Sequence, residues 1–367
     1  MKILQLIYSL CSGGAERFVV NLCNELAAGG NDVTVCMLLS ADNSKYMFNH
    51  KFLRKEVKFI SLDFTPGFTL GKVVEVERCI NALNPTVVHC HLNVIPYIYR
   101  LACKRIDIKF IHTIHSVAEY ASGYRMQKNI NRWFYRHNKI VPVTISQKCY
   151  ESYQAYYRLD NARCIPNGCS CPVKSDVYSD VYDEIISYKT TDKTVVFIHV
   201  ARYHALKNQM LLVEAFNKLS QLNKDFVLII VGDGYKDEGK FLVDIACDKI
   251  HFVGLKNNVV DYLLCADAFC LTSTHEGLPI SLLEAMSCGV VPICTKAGGI
   301  PDVITDGETG WLVDDFTVES YAKKLLEYME TPNSIDRLAL INLFERSYSM
   351  KACANEYVSI YSQHVEK

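Results

Sequence analysis

The stretch that most constrains the fold runs from residue 268 to residue 301. Its apolar runs, residues 268–271 and 290–294, predict two buried strands. Between them, Pro279 suits the first turn of a helix, where its missing N–H costs nothing, and Gly289 is a natural helix end. The alternation of strand, helix and strand predicts a βαβ unit, and therefore a parallel sheet covered by helices.

Two carboxylates stand near the carboxyl end of the first of these strands. Glu276 lies in the loop after the strand, and Glu284 lies in the predicted helix. Ligands of such sheets bind outside the carboxyl ends of the strands. The helix start also offers N–H groups and a partial positive charge, which suit a phosphate. The carboxylates can accept hydrogen bonds from hydroxyl groups, and the N–H groups can bind phosphates. Together they predict a site for a sugar nucleotide.

The same alternation extends along the chain and starts twice. Residues 2–8 predict a strand that is followed by a glycine turn and a helix, and residues 194–200 repeat this opening. A chain of 367 residues is long for one core and suits two domains. The fold class that we predict is α/β, with two Rossmann-like, doubly wound domains. The predicted parts are a first domain of residues 1–168, a polar and acidic linker of residues 169–193, a second domain of residues 194–345 and a last helical segment of residues 346–367.

The composition excludes several classes of protein. Half of the residues are hydrophobic and 22% are charged, which is typical of a globular chain. The net charge of −1 argues against a general nucleic-acid binder. The 16 cysteines lack paired spacing, so we expect a reducing cytoplasm and no disulfide framework. The sequence contains no run of 18 apolar residues, so we predict no membrane span.

The spacing of Glu276 and Glu284, followed by the loop Gly298-Gly299-Ile300-Pro301, resembles the signature of glycosyltransferase family four, also called group 1. The pair Arg202 and Lys207 resembles the cation pair with which this family holds a diphosphate. The family usually has glycine before this arginine, whereas this chain has alanine. The resemblance implies the GT-B architecture, in which two Rossmann-like domains face each other across a cleft and the last helix crosses back to the first domain.

The resemblance also implies roles for individual residues. Glu276 would hold the donor sugar, and Glu284 would accept hydrogen bonds from the ribose. Arg202 and Lys207 would stabilise negative charge on the leaving diphosphate. The catalytic residues expected in this way are Glu276, His115, Arg202 and Lys207. The residues expected to bind the nucleotide sugar are Gly13, Gly14, Arg202, Lys207, Leu255, Glu276, Gly277, Leu278 and Glu284.

The predicted function is that of a retaining hexosyltransferase. It would move a hexosyl residue from a nucleotide diphosphate sugar, most often UDP-linked in this family, to a saccharide or lipid-linked acceptor in the synthesis of cell-surface polysaccharide or glycolipid. The sequence contains no Asp-x-Asp motif, so we predict no metal site and no cofactor. Two alternatives stay open: a sugar-nucleotide 2-epimerase of the same architecture, and a non-catalytic sugar-nucleotide sensor.

Residues 125–139 predict contact with an anionic membrane surface. Between residues 100 and 150, ten lysines or arginines stand against two acids. Five of the basic residues recur at helical spacing: Arg125, Lys128, Arg132, Arg136 and Lys139. Four apolar residues suggest a second face: Met126, Ile130, Trp133 and Phe134. The alternative is a helix with an ordinary core face and a solvated basic face. We expect a cytoplasmic protein, attached peripherally to the cytoplasmic face of the plasma membrane if this helix docks there.

Overall fold

The structure is a computed structural model that describes residues 1–121 and 125–363. The chain divides into two compact units. The first comprises residues 1–170 together with the end of the chain from Ser347, and the second comprises residues 171–346. No helix among these described residues combines the length and the apolar character needed to cross a bilayer.

The first unit is built on a parallel sheet of seven strands in the order β3-β2-β1-β4-β5-β6-β7. Its strands are β1 (Lys2–Ile7), β2 (Asp32–Leu39), β3 (Lys58–Phe64), β4 (Val87–His91), β5 (Lys109–Ile114), β6 (Val141–Thr144) and β7 (Arg163–Cys164). Helices cover both faces of such a sheet, so its central strands are buried on consecutive residues and not only on alternate ones. In β2, every residue after Asp32 is buried.

Six helices connect the strands of the first unit within residues 1–121 and 125–170. They are α1 (Gly14–Ala28), α2 (Leu70–Leu83), α3 (Tyr99–Lys104), α4 (Ala118–Ala121), α5 (Arg125–Arg136) and α6 (Gln147–Tyr157). Side chains cap two of them: Thr69 accepts from the Lys72 N–H at the start of α2, and Ser146 accepts from the Cys149 N–H at the start of α6. These caps satisfy N–H groups that the helix itself leaves unpaired.

The second unit repeats the design with six parallel strands in the order β10-β9-β8-β11-β12-β13. Its strands are β8 (Val195–Val200), β9 (Phe226–Val231), β10 (Ile250–Gly254), β11 (Ala268–Leu271), β12 (Val291–Thr295) and β13 (Trp311–Val313). Its helices are α7 (Tyr178–Tyr188), α8 (Gln209–Gln221), α9 (Lys240–Ile245), α10 (Val259–Leu264), α11 (Ile280–Ser287), α12 (Val318–Glu330) and α13 (Arg337–Ser347). Short 3-10 turns in the chain are Ser44–Met47, His50–Phe52, Leu92–Tyr97, Ala205–Lys207 and Ile300–Asp302.

Each sheet is wound outward in two directions from a central pair of strands. The pair is β1 and β4 in the first unit, and β8 and β11 in the second. The predicted α/β class with two doubly wound, Rossmann-like domains is therefore confirmed.

The segment of residues 169–193, expected to be a linker, contains the 11-residue helix α7. Val181 and Ile185 are its buried residues, one turn apart. At the end of this helix, the Tyr188 ring stacks on the His251 ring with centroids 3.9 Å apart. These two apolar anchors and the stacked ring attach the helix to the second unit.

The last helix, α14 (Met350–Ser362), belongs to the first unit and packs against α1. Lys109 at the start of β5 donates to the carbonyls of Ile360 and Gln363, at 2.5 and 2.7 Å. A cation at the C-terminal end of a helix satisfies otherwise unpaired carbonyl groups and suits the helix dipole. The final four residues of the expected segment 346–367 lie outside the described residues.

Candidate functional site

The candidate residues of the second unit lie where the winding of its sheet reverses. β8 and β11 are neighbours, and the strands that follow them lie on opposite sides of this pair. Lys207 follows β8 along the chain, and Glu276 follows β11. An open parallel sheet leaves a crevice for its ligand at this point, outside the carboxyl ends of the strands.

Lys207 and Glu276 form an ion pair. The Lys207 Nζ lies 2.6 Å from Glu276 Oε1, and the two side chains are 25% and 9% exposed. Ser273 Oγ donates to the same carboxylate oxygen at 2.6 Å. A partly buried pair is screened less than one on the surface, and a second donor fixes the carboxylate further. The structure thus pairs Glu276, which the sequence analysis assigned to the donor sugar, with Lys207, which it assigned to the diphosphate. It also adds Ser273, which the sequence analysis missed.

The glycine-rich loop after β12 supports this carboxylate. Gly298 has a φ of +55°, and a Cβ at this position would overlap the backbone carbonyl of Glu276. The next residue, Gly299, donates its N–H to the Gly277 carbonyl at 2.8 Å. Glycine is required here because the two loops meet backbone to backbone. The Gly-Gly-Ile-Pro loop therefore positions Glu276.

Two buried threonines connect the loops of the site. Thr272 Oγ1 donates to the carbonyls of Lys207 and Asn208, at 3.1 and 3.0 Å. Thr295 Oγ1 donates to the Ser273 carbonyl at 2.6 Å. The sequence analysis missed both residues. The sequence signal that could have identified them is a residue with a hydroxyl group at the carboxyl end of each of these two buried strands.

Arg202 is exposed in the loop after β8. Its backbone carbonyl accepts a hydrogen bond from the buried Gln209 side chain at 3.0 Å, and Gln209 also donates to Tyr235 Oη at 3.2 Å. Tyr235 in turn donates to the carbonyl of Ala201 at 3.0 Å. The alanine that departs from the family pattern therefore sits in a loop whose backbone is held by side chains from two other segments.

The remaining candidates of the second unit lie at the same edge of its sheet or close to it. Gly277 and Leu278 belong to the loop between β11 and α11, just before the helix begins, and Leu278 is buried. Glu284 lies in α11 and is half-buried. Leu255 is exposed directly after β10. The structure thus places these residues in the loops and the helix that link the strands of the second sheet.

In the first unit, Gly13 and Gly14 form the turn into α1. Gly13 is the N-cap of this helix, and Gly14 is its first residue. A Cβ on Gly13 would overlap the carboxylate of Glu16, which folds back over the turn. A carboxylate at the start of a helix interacts favourably with the helix dipole. Glu16 therefore lies where a phosphate would bind this helix start, and the two negative charges would compete for it.

His115 follows β5 and packs against two aromatic rings. Its Nε2 lies 3.0 Å from His91 Nδ1, and its ring meets the Phe18 ring edge-on with centroids 5.5 Å apart. Burial lowers the pKa of His115 to about 3, so the ring is neutral near pH 7. Its other nitrogen, Nδ1, is buried and has no hydrogen-bond partner among the residues that the structure describes.

His112, which lies on β5 itself, has a hydrogen-bond partner at both ring nitrogens. Its Nδ1 lies 2.7 Å from Tyr135 Oη, and its Nε2 lies 2.9 Å from the carbonyl of Leu92. A buried histidine with two partners is a satisfied core residue. Of these two histidines, His115 therefore has a ring nitrogen that is available to hydrogen-bond a ligand, and His112 does not.

Comparison with known proteins gives the class. Residues 12–171 match the family described as Glycosyltransferase Family 4, and residues 183–341 match the family described as Glycosyl transferases group 1. The two matches together cover most of the chain. The chain belongs to the family-four, group 1 glycosyltransferases, and its fold is that of the GT-B glycosyltransferases.

Two relatives and one solved structure are similar to this chain. N-acetyl-alpha-D-glucosaminyl L-malate synthase of Bacillus anthracis is 33% identical over 182 residues, which make up 47% of each protein. The UDP-Gal:alpha-D-GlcNAc-diphosphoundecaprenol alpha-1,3-galactosyltransferase of Escherichia coli is 23% identical over 279 residues, or 70% of each. The structure of HepE from Anabaena in complex with UDP and glucose has a TM-score of 0.77 at 18% identity and covers 99% of both chains.

Proposed function

We propose that this chain is a retaining hexosyltransferase that uses a UDP-linked sugar and a saccharide or lipid-linked saccharide acceptor. The observation that carries the proposal is the Lys207–Glu276 pair, which lies at the point where a doubly wound sheet binds its ligand. The similar proteins support the substrate classes. HepE was solved with UDP and glucose, and the Escherichia coli relative is named for UDP-Gal and a diphosphoundecaprenol-linked acceptor.

Departure of the nucleotide places negative charge on its β-phosphate. Lys207 and Arg202 follow one strand, and we assign both cations to that charge, because fixed charges placed before the reaction need no reorganisation during it. Glu276 Oε1 already accepts from Lys207 and Ser273. We therefore assign its second oxygen, Oε2, to a hydroxyl of the sugar, and we assign Glu284 to the ribose.

We further propose that transfer needs no divalent metal, because two protein cations are available to the diphosphate. Activity should then persist in excess EDTA. Complete loss in EDTA, with recovery on adding manganese or magnesium, would replace this part of the proposal by a metal-held phosphate.

The experiment that tests the proposed function has two stages. First, a thermal-shift screen of nucleotide sugars selects the donor, since ligand at 100 times its Kd adds about 2.7 kcal/mol to stability. Second, the selected donor, labelled in its sugar, is incubated with and without acceptors. A transferase forms a new glycoside when the acceptor is present. Formation of an isomerised nucleotide sugar without acceptor would identify an epimerase, and binding without any product would identify a sensor.

We propose in addition that α5 touches an anionic membrane surface. Ile130 packs against the core and Phe134 is buried, whereas Met126 and Trp133 are 74% and 47% exposed. Lys128 holds its Nζ 3.9 Å above the Tyr156 ring. The expected apolar face is therefore divided, with one half in the core and the other half in solvent beside basic residues. The side chain of Arg125 lies outside what the structure describes.

Liposome sedimentation tests this surface. Wild type should sediment with anionic vesicles at low salt and be released as salt rises, because each basic residue near the surface contributes about 1 kcal/mol that salt screens. Changing Met126 and Trp133 to serine should leave the protein in the supernatant. The matched control changes Val173 and Leu338, which are also exposed apolar residues, to serine. Equal sedimentation of both variants, or none by wild type, would leave α5 as ordinary solvated surface.

A further inference from the structure

One face of the first sheet carries a row of buried polar side chains. Gln5 on β1, His89 and His91 on β4, and Thr113 on β5 are each 0% exposed. Register pairs Gln5 with His89 and His91 with Thr113, so the four lie side by side on neighbouring strands. Buried polar groups are costly unless they are hydrogen-bonded. A row of them at a sheet–helix contact that is usually apolar therefore needs an explanation.

These side chains form one connected chain of hydrogen bonds that starts on the last helix. Gln5 Nε2 donates to Tyr361 Oη at 3.3 Å, and the same hydroxyl lies 2.7 Å from His89 Nδ1. Gln5 Oε1 lies 2.7 Å from His91 Nε2. His91 Nδ1 in turn lies 3.0 Å from His115 Nε2. The chain therefore links α14 to the candidate catalytic histidine through two intermediate side chains.

The orientation of the Gln5 amide sets the direction of these bonds. Its carbonyl oxygen can only accept, so His91 must donate from Nε2. A neutral imidazole has one donor and one acceptor, which leaves His91 Nδ1 as the acceptor. His115 must then donate from Nε2, and its Nδ1 carries no proton. Burial favours the neutral rings by lowering the pKa of both His91 and His115.

The result is a histidine with one fixed donor and one unused acceptor. His115 Nδ1 is buried and lacks a partner among the described residues, while every ring nitrogen of His89, His91 and His112 has one. An unprotonated imidazole nitrogen accepts a hydrogen bond from a hydroxyl group, and a sugar presents several. The chain of bonds ends at a nitrogen that is suited to hold such a group.

We propose that Gln5 and His91 are positioning residues that hold His115 in the Nε2–H tautomer, so that His115 Nδ1 accepts a hydrogen bond from a hydroxyl of the sugar substrate. The sugar in this statement rests on the proposed function, whereas the tautomer does not. Tyr361 on α14 supports the same tautomer by accepting from the Gln5 amide group.

The tautomer is measured directly by long-range proton–nitrogen NMR of protein labelled in its histidine rings, with a His115→Gln variant to assign the signals. In wild type, His115 Nε2 should be protonated and Nδ1 bare. A proton on Nδ1 would overturn the proposal, because it requires the opposite direction of every bond from Gln5 onward. This readout does not depend on transfer, so it separates a failure of the tautomer from a failure of the proposed function.

Kinetics of matched variants test the consequence. His91→Leu removes the acceptor for His115 and should lower kcat about 10- to 100-fold while the KM for the donor changes less. His91→Asn places an amide oxygen near the position of Nδ1 and should restore most of the rate. His112→Leu removes an equally buried, doubly bonded histidine from the other face of the sheet, and should leave kcat within about twofold.

Equal losses of kcat in His91→Leu and His112→Leu would reduce Gln5 and His91 to structural residues and overturn the positioning role. If His91→Leu does not fold, Gln5→Met carries the same test, since it removes the acceptor of His91 Nε2 and keeps the contact between the two histidines. Its His115 signals should then show both tautomers. A single unchanged tautomer in Gln5→Met would contradict the proposal.

Discussion

The two units share a doubly wound topology, yet they place different chemistry at its centre. In the second unit the central strands lead to Lys207 and Glu276, a charged pair that is partly exposed. In the first unit the corresponding strands carry Gln5 and His91, which are uncharged and fully buried. One sheet thus leads to an ion pair, and the other carries a directed chain of hydrogen bonds. The comparison predicts that the activity and stability of the two units respond differently to loss of a charge, to backbone crowding and to acid.

The largest expected effect is the loss of Lys207. Lys207→Ala removes both the partner of Glu276 and the cation assigned to the diphosphate, which should cost roughly 2–4 kcal/mol of transition-state stabilisation, or about 30- to 1000-fold in kcat/KM. The control is Lys218→Ala, which removes an exposed ion pair with Glu319 at 3.0 Å. Such pairs contribute little, so its kcat/KM should stay within about twofold of wild type. Similar values for both variants would remove Lys207 from the mechanism.

Measured against its own control, backbone crowding next to Glu276 should give the next largest effect. Gly298→Ala places a methyl group against the Glu276 carbonyl, whereas Gly307→Ala, also at a positive φ of +78°, has nothing within 4 Å. Both changes cost conformational strain of about 1–2 kcal/mol, and overpacking should add about 1–3 kcal/mol at Gly298 alone. Urea unfolding measures the stability and a transfer assay measures kcat. Equal destabilisation by the two changes would mean that the loops are not in contact.

Acid should weaken the first unit before the second. Among the described residues, His89, His91, His112 and His115 of the first unit have pKa values lowered chiefly by burial, to about 4 for His112. His199 is the fully buried counterpart in the second unit. Below about pH 6.5 the unfolded chain binds protons at these histidines, whereas the folded chain does not. The free energy of unfolding therefore decreases by about 1.4 kcal/mol per pH unit for each histidine, until the pH reaches the pKa of the folded state.

Hydrogen exchange on the whole chain resolves this difference. Peptides from β4 and β5 should lose protection between about pH 6.5 and pH 5 more steeply than peptides from β8 and β9, after correction for the intrinsic pH dependence of exchange. Parallel loss in both units would show that the buried histidines of the first sheet do not control its acid stability.

The two sites also differ in how far the sequence predicts them. The β11–α11–β12 unit was predicted within one or two residues, because apolar strands, a proline beside a helix start and a glycine after a helix end are local signals. Here those two residues are Pro279 and Gly289. Helix α7 was not predicted, because only two of its residues are buried. The contact of Thr295 with Ser273 joins residues of two strand ends, and depends on their register. Such pairing leaves no local trace in the sequence.

The network of the first unit is harder to predict still. Gln5 stands in an apolar strand pattern, and its partner Tyr361 is 356 residues away in the chain. A single polar residue in a strand is an exception to the pattern, and its role depends on which helix covers it. His115 was identified through the resemblance, but the side chains that orient it required the structure.

The division of roles is tested most directly by calorimetric titration of UDP, without its sugar, into wild type, Lys207→Ala and His115→Gln. In the function that we propose, the diphosphate binds at Lys207 and the sugar hydroxyl binds at His115. Lys207→Ala should therefore raise the Kd of UDP by at least about 30-fold, which corresponds to roughly 2 kcal/mol. His115→Gln should leave the Kd within about twofold while lowering the rate of sugar transfer. UDP binding that is unaffected by Lys207→Ala, or weakened equally by both changes, would contradict the account.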